Sequence, residues 1–215
     1  ADNPMTEQGV DLGRMLFFDN KLSSDNSMSC SSCHLQEGSF TDNLAVSTGV
    51  TMEEGTRSSM SILDAAFNNN GFFWDGRSAT LEEQALLPVE DPIELHENWD
   101  NVVQKLKEDE QYPTLFRKAF GIENSGEITK ELAAKAIAQY ERTIISPGNT
   151  KFDKVQRGEA EAGGGQAGES GEGLAHPRRD PGGNLPIADL SEEEIRGRAK
   201  DRLTMTDLEQ QLRAG

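Results

Sequence analysis

The chain is 215 residues long, 34% hydrophobic, with 21 glycines and a formal net charge of −17. That acidity excludes nucleic acid as a partner, since phosphate binding wants clustered Lys and Arg. It favours encounter with a basic partner, although plain solubility explains it equally well. No apolar run reaches the length of about 18 residues that a membrane span needs.

The size allows one domain or two. The charge is uneven: residues 1–150 carry 11 Lys+Arg against 25 Asp+Glu, and residues 151–215 carry 10 against 13. The chain opens at Ala1 with no Met and no signal segment, which fits a processed, exported protein.

The elements read as mostly helical. Residues 6–18 carry Val10, Leu12, Met15, Leu16 and Phe17, close to a helical stripe. Residues 20–57 are rich in Ser, Asn, Asp and Gly and read as loop. A short apolar piece over 58–67 is broken by Asn68-Asn69-Asn70-Gly71. Thr80-Leu81-Glu82-Glu83 is a capping box that starts a helix, and Pro88 is expected to stop it.

Trp99, Val102, Val103 and Leu106 mark an amphipathic helix over about 98–108. Tyr112, Leu115, Phe116 and Phe120 mark another, with Pro113 in its first turn and Gly121 past its end. Thr129 caps the clearest helix, whose face runs Leu132, Ala133, Ala136, Ile137, Tyr140, Ile144 until Pro147-Gly148 ends it. Residues 157–190 are rich in Gly and Pro and read as a linker. Ser191-Glu192-Glu193-Glu194 is a second capping box, opening a charged helical tail over 191–215.

The loop over 20–57 holds the densest chemistry. Cys30-Ser31-Ser32-Cys33-His34 is the attachment signature of a c-type haem. Two thiols three residues apart can each form a thioether to the edge of one porphyrin, and the next residue, His34, then ligates the iron. These are the only two cysteines of the chain. A structural zinc site needs four ligands, and His96 and His176 are isolated. A redox dithiol wants a βαβ setting, which the pattern lacks. A disulfide across two residues is a strained staple. Covalent haem attachment takes place outside the bacterial cytoplasm, so the expected compartment is the periplasm.

An ordered set of further motifs surrounds that signature. Leu12-Gly13-Arg14-Met15-Leu16-Phe17-Phe18-Asp19 precedes it. Phe73-Trp74-Asp75-Gly76-Arg77, Leu81-Glu82-Glu83-Gln84-Ala85, Ala119-Phe120-Gly121, Ile128-Thr129 and Tyr140-Glu141-Arg142-Thr143 follow. The succession over roughly residues 7–156 resembles the N-terminal haem domain of the bacterial di-haem cytochrome c peroxidase family, which includes the methylamine-utilisation di-haem enzymes.

The resemblance implies a mostly α, cytochrome c-like domain over 1–156 and a peroxidatic haem on Cys30 and Cys33 with His34 as proximal ligand. It implies catalytic roles for Glu94 as distal acid, Gln84 as distal glutamine and Arg57 beside the haem. Trp74 matches a tryptophan on the electron path, and Phe40 either lines the pocket or simply packs. Hydrogen peroxide is the implied substrate. The implied donor is a small cytochrome c or copper protein. Outside the resemblance, Glu94 reads as an exposed acid among Glu90, Asp91 and Glu97, Trp74 as a core aromatic, and Arg57 as a surface charge.

Two departures matter. Residues 47–57 lack the distal His of many members, which points to an open sixth position on the iron; Met52 is the alternative ligand there, and would turn the haem towards electron transfer. Residues 158–215 contain no second CxxCH. One haem is therefore expected. The tail is open to replacement, truncation or an unreliable stretch of sequence, and a further reading makes the chain a subunit whose missing haem comes from a partner chain. Calcium often lies between the two family domains, but nothing in this sequence supports it. The competing reading is a mono-haem electron carrier with a closed iron.

Overall fold

The structure is a computed structural model that describes residues 2–148 and positions 154, 155, 157 and 158. The helical tail expected over 191–215, and all of the linker over 157–190 except its first two residues, lie outside the described residues. Chain contacts group Ala1–Ile145 into one compact unit and Ser146–Gly215 into another. The first carries all the elements below. Among the described residues it is helical, with two isolated bridges, Thr48 with Glu54 and Phe72 with Ser78, in place of strands.

Helix α1 (Glu7–Phe17) starts where Thr6 accepts a hydrogen bond from the Gly9 N–H at 3.0 Å. It packs against α5 (Tyr112–Phe120) and most closely on α6 (Lys130–Glu141). The close crossing explains Gly13: a Cβ there would lie 1.8 Å from the Ala136 carbonyl oxygen. Between these helices Leu12, Leu16, Phe17, Phe116, Ala133 and Ile137 are buried. Helix α4 (Trp99–Glu108), capped by Asn98, adds Trp99, Val102 and Leu106 to the same core.

Helix α3 (Leu81–Glu90) departs from expectation at both ends. Thr80 caps it as foreseen, accepting from the Glu83 N–H at 3.1 Å, but Glu83 returns its bond to the Ala79 N–H instead of Thr80. Pro88 does not stop it. The helix runs one further half-turn, to Glu90, with the one bond that proline cannot donate missing from its ladder. Helix α6 ends at Glu141 with Arg142 as its cap, short of Ile144. The apolar piece over 58–67 forms no α-helix, only a 3-10 turn at Ala65–Phe67.

Two polar ties fix the loops that lead into the haem-attachment motif. The Lys105 ammonium donates to the carbonyls of Lys21 (3.0 Å) and Ser23 (3.1 Å), to Asn26 Oδ1 (3.1 Å) and to Glu97 (2.8 Å). Tyr112 donates its hydroxyl proton to Asp19 at 2.6 Å. Between them the segment 19–26 is held against α4 and α5, just ahead of Cys30.

Candidate haem site

Cys30–Cys33 form a single turn, α2, and His34 caps it with its N–H on the Cys30 carbonyl at 3.0 Å. The His34 Nδ1 donates to the Phe40 carbonyl at 3.0 Å, which leaves Nε2 with its lone pair. Burial pushes the imidazole below its ordinary value, against the Phe40 and Met60 carbonyls and Asp42, so the ring is neutral as iron ligation requires. Both thiols are free. Burial pushes Cys30 up to about 12, with Glu141 adding to it, and Cys33 up to about 11, with Asp42 and Glu94 adding. They are protonated thiols rather than the thiolates of a redox pair.

These residues form one wall of a cavity of about 600 Å³. That is within the size range of cofactor pockets, and the lining has the usual apolar cast, from Met28, Met60, Ile62, Leu81, Ile93 and Ile137. The remaining walls bring together most of the residues singled out above. Gln84 faces in from α3 with Leu81, Ala85 and Pro88, the i, i+3, i+4, i+7 spacing of one helix face. Arg57, Trp74 and Glu94 enter from loops.

The loop carrying Glu94 is held through its backbone. The Val50 N–H donates to the Glu94 carbonyl (2.8 Å), the Leu95 N–H to the Pro88 carbonyl (3.1 Å), and the Ser24 N–H to the Leu95 carbonyl (3.0 Å). Contact with Val50 requires a glycine beside it, since a Cβ on Gly49 would sit 1.5 Å from the Ile93 oxygen. The Glu94 side chain is open to the cavity yet surrounded by chain. That crowding pushes its carboxyl up from the ordinary value, with Asp91 adding and Arg77 opposing.

The opposite loop, 71–78, is stapled by Trp74, whose indole N–H donates to the Ser58 carbonyl at 2.8 Å. Asp75 bridges Arg57 (3.5 Å) and Arg77 (3.1 Å), and the Arg77 guanidinium lies 3.5 Å from the centre of the Phe73 ring. Trp74 is half exposed, so it reaches both the cavity and the surface.

Two expected residues stand elsewhere. Met52 is 81% exposed, at a left-handed φ of 63°, and does not line the cavity; Met60 and Met28 do. Phe40 packs in the core and acts through its carbonyl, the acceptor for His34. Glu141 is a cavity residue that sequence reasoning missed. It is 4% exposed, and its Oε2 has no hydrogen-bond partner among the described residues. The spacing held a clue, because Glu141 falls at i+8 and i+4 from Ala133 and Ile137 on the buried stripe of α6. Among the described residues no group of three or more His, Cys, Asp or Glu could hold a metal ion. Nor is any helix among them long and apolar enough to cross a membrane.

The residues present fit a covalent haem: two neutral thiols on the cavity wall, an oriented imidazole and an apolar chamber of suitable size. The fold and site thus define a helical domain of the haem c class. Residues 7–161 match the di-haem cytochrome c peroxidase family, and the chain belongs to that family.

It is 38% identical over 165 residues to the cytochrome c551 peroxidase of Nitrosomonas europaea, covering 75% of this chain and 47% of that protein. It is 38% identical over 160 residues to the methylamine utilization protein MauG of Methylorubrum extorquens, covering 74% and 44%. Among solved structures, a MauG-like protein associated with microbial copper homeostasis superposes with a TM-score of 0.67 at 34% identity, covering 76% and 47%. The chain therefore spans about half the length of the relatives it matches.

Proposed function

We propose that this chain carries the peroxidatic haem c of a periplasmic cytochrome c peroxidase-type enzyme, which reduces hydrogen peroxide to water with electrons from an external redox partner. The observation that carries the reading is the single cavity with Cys30, Cys33 and His34 on one wall and Gln84, Glu94 and Arg57 on the others. When bound, the haem supplies the iron that takes up peroxide and accepts electrons.

The chain's own residues do the rest. Cys30 and Cys33 tether the macrocycle, and the Phe40 carbonyl holds the His34 ring in one tautomer. Overall, hydrogen peroxide, two electrons and two protons give two waters. Breaking the bond between the two oxygens needs a group that takes a proton from one of them and delivers it to the other. We assign that transfer to Glu94, on the cavity wall, and the upward push on its carboxyl supports the assignment, since a carboxyl with a raised pKa is better suited to both taking and giving a proton. Gln84 and Arg57 supply donors that orient peroxide and polarise the bond being broken. Trp74, exposed on one side and in the cavity wall on the other, is the entry point for electrons. The acidic surface of residues 1–150 suits a basic cytochrome c or copper protein as donor.

The test is the haem-loaded chain. A high-spin spectrum in the oxidised protein and peroxide turnover with a reduced donor are expected. Glu94→Gln should reduce turnover by about 100-fold, the scale of a positioned acid–base group. A low-spin spectrum with a sulfur-to-iron band, or full turnover in Glu94→Gln, overturns the assignment.

A further inference from the structure

Glu141 has no part in that mechanism, and packing does not explain it. It sits in the last turn of α6 with Ile137, and both line the cavity. It lies close enough to Cys30 to raise that thiol's pKa. Leaving a buried carboxyl oxygen unpartnered costs about 1–3 kcal/mol. The adjacent cation does not relieve it, because Arg142 is turned into a two-pronged pair with Glu82 at 2.8 and 2.9 Å.

We propose that Glu141 is a redox-linked proton site of the haem cavity: it takes a proton from solvent when the iron accepts one electron from an external one-electron donor, and returns it on reoxidation. The proposal rests on the reading of the cavity as a haem site. Charge balances within the cavity. Ferric iron becomes ferrous, the carboxylate becomes a carboxylic acid, and the low-dielectric chamber is spared an added negative charge. Burial, then Glu82, push the Glu141 carboxyl up to about 8 against the pull of Arg142, so the exchange falls near neutral pH.

The charges acting on Glu141 are Arg142 on its own helix and Glu82 on α3. From α2 it faces Cys30, whose thiol is consumed in the thioether. His34 and Glu94 share the cavity, and Glu94 also has a raised value, so the two carboxyls must be separated by experiment.

The experiment is equilibrium reduction of the haem-loaded chain from acid to alkaline pH. Its haem content is confirmed first by mass and visible spectrum. The reduction equilibrium constant should fall up to tenfold per pH unit, about 59 mV, between the two pKa values of Glu141. Glu141→Gln should flatten that window, and Glu94→Gln should retain it. A slope that survives in Glu141→Gln overturns the proposal while the haem reading stands. A chain that carries no haem overturns both. Should Glu141→Gln fail to hold haem, redox-difference infrared on the Glu94→Gln chain decides. A protonated-carboxyl band that grows on reduction supports the site, and its absence removes it.

Discussion

The two halves of the domain that enclose the cavity are built by different physics. The helical half is closed by apolar packing: Leu12, Leu16, Phe17, Leu106 and Phe116 are wholly buried, and glycines let α1 and α6 touch. The loop half, residues 39–78, has no helix beyond one 3-10 turn. It is held by links such as the Thr41 hydroxyl on the Ser59 carbonyl (3.0 Å), the Asp42 N–H on Ser59 Oγ (3.0 Å), and Trp74 on Ser58. Among the described residues, six of the eight non-glycine residues with positive φ lie in it: Ser39, Phe40, Asn43, Met52, Asp64 and Phe73. Each such residue costs about 1–2 kcal/mol. One half can stand by its own core, whereas the other leans on whatever fills the chamber.

Removing the cofactor should break this comparison most severely. In Cys30→Ala/Cys33→Ala no haem is tethered, and amide exchange should accelerate across 39–78 while α1 and α6 stay protected. Uniform acceleration would show that the halves are not independent. Gly49→Ala comes next. Its Cβ must push the Ile93 backbone aside and misplace Glu94, and a shift on the 1 Å scale can cost about 100-fold in turnover. The melting temperature should barely move; a large drop with unchanged turnover per folded molecule would reverse the reading. On the helical side, Gly13→Val should behave oppositely, losing about 1–3 kcal/mol in a denaturant titration while the folded fraction keeps its haem spectrum.

The same division decides what was legible in the sequence. The helical half announces itself through period and caps: Thr80 and Thr129 accept the N-terminal bonds their sequence positions call for, and Thr6 and Asn98 do the same at α1 and α4. The CxxCH signature needs no fold to be read. The loop half has no period, because its order comes from side chains bonding to distant backbone, such as Ser59 Oγ on the Cys33 carbonyl at 3.0 Å. Hence nothing in the residue order shows that Met52 is exposed, and Phe40 acts through a carbonyl that no composition reveals. Glu141 was hidden for another reason. A carboxylate at a helix end normally signals solvent, and only the position of the cavity shows that this one is enclosed.

The smallest predicted effect lies inside the helical half, where α3 meets the end of α6. Glu82 is held by Arg142 and by Asn3 at 2.6 Å. Burial opposes its ionisation, but these partners outweigh it and hold its carboxyl below the ordinary 4.5. A depressed folded value stabilises the chain above pH 4.5, and this contribution is lost as pH falls through the folded value. Glu82→Gln should therefore cost about 1 kcal/mol at neutral pH and flatten the acid limb of the stability profile. An unchanged acid limb would place the sensitivity elsewhere. The same substitution removes a negative neighbour of Glu141 and frees the Arg142 cation beside it, and both changes lower the Glu141 pKa. In Glu82→Gln the pH window of the haem potential should thus move towards acid without losing its slope, an outcome that a Glu94 proton site would not produce.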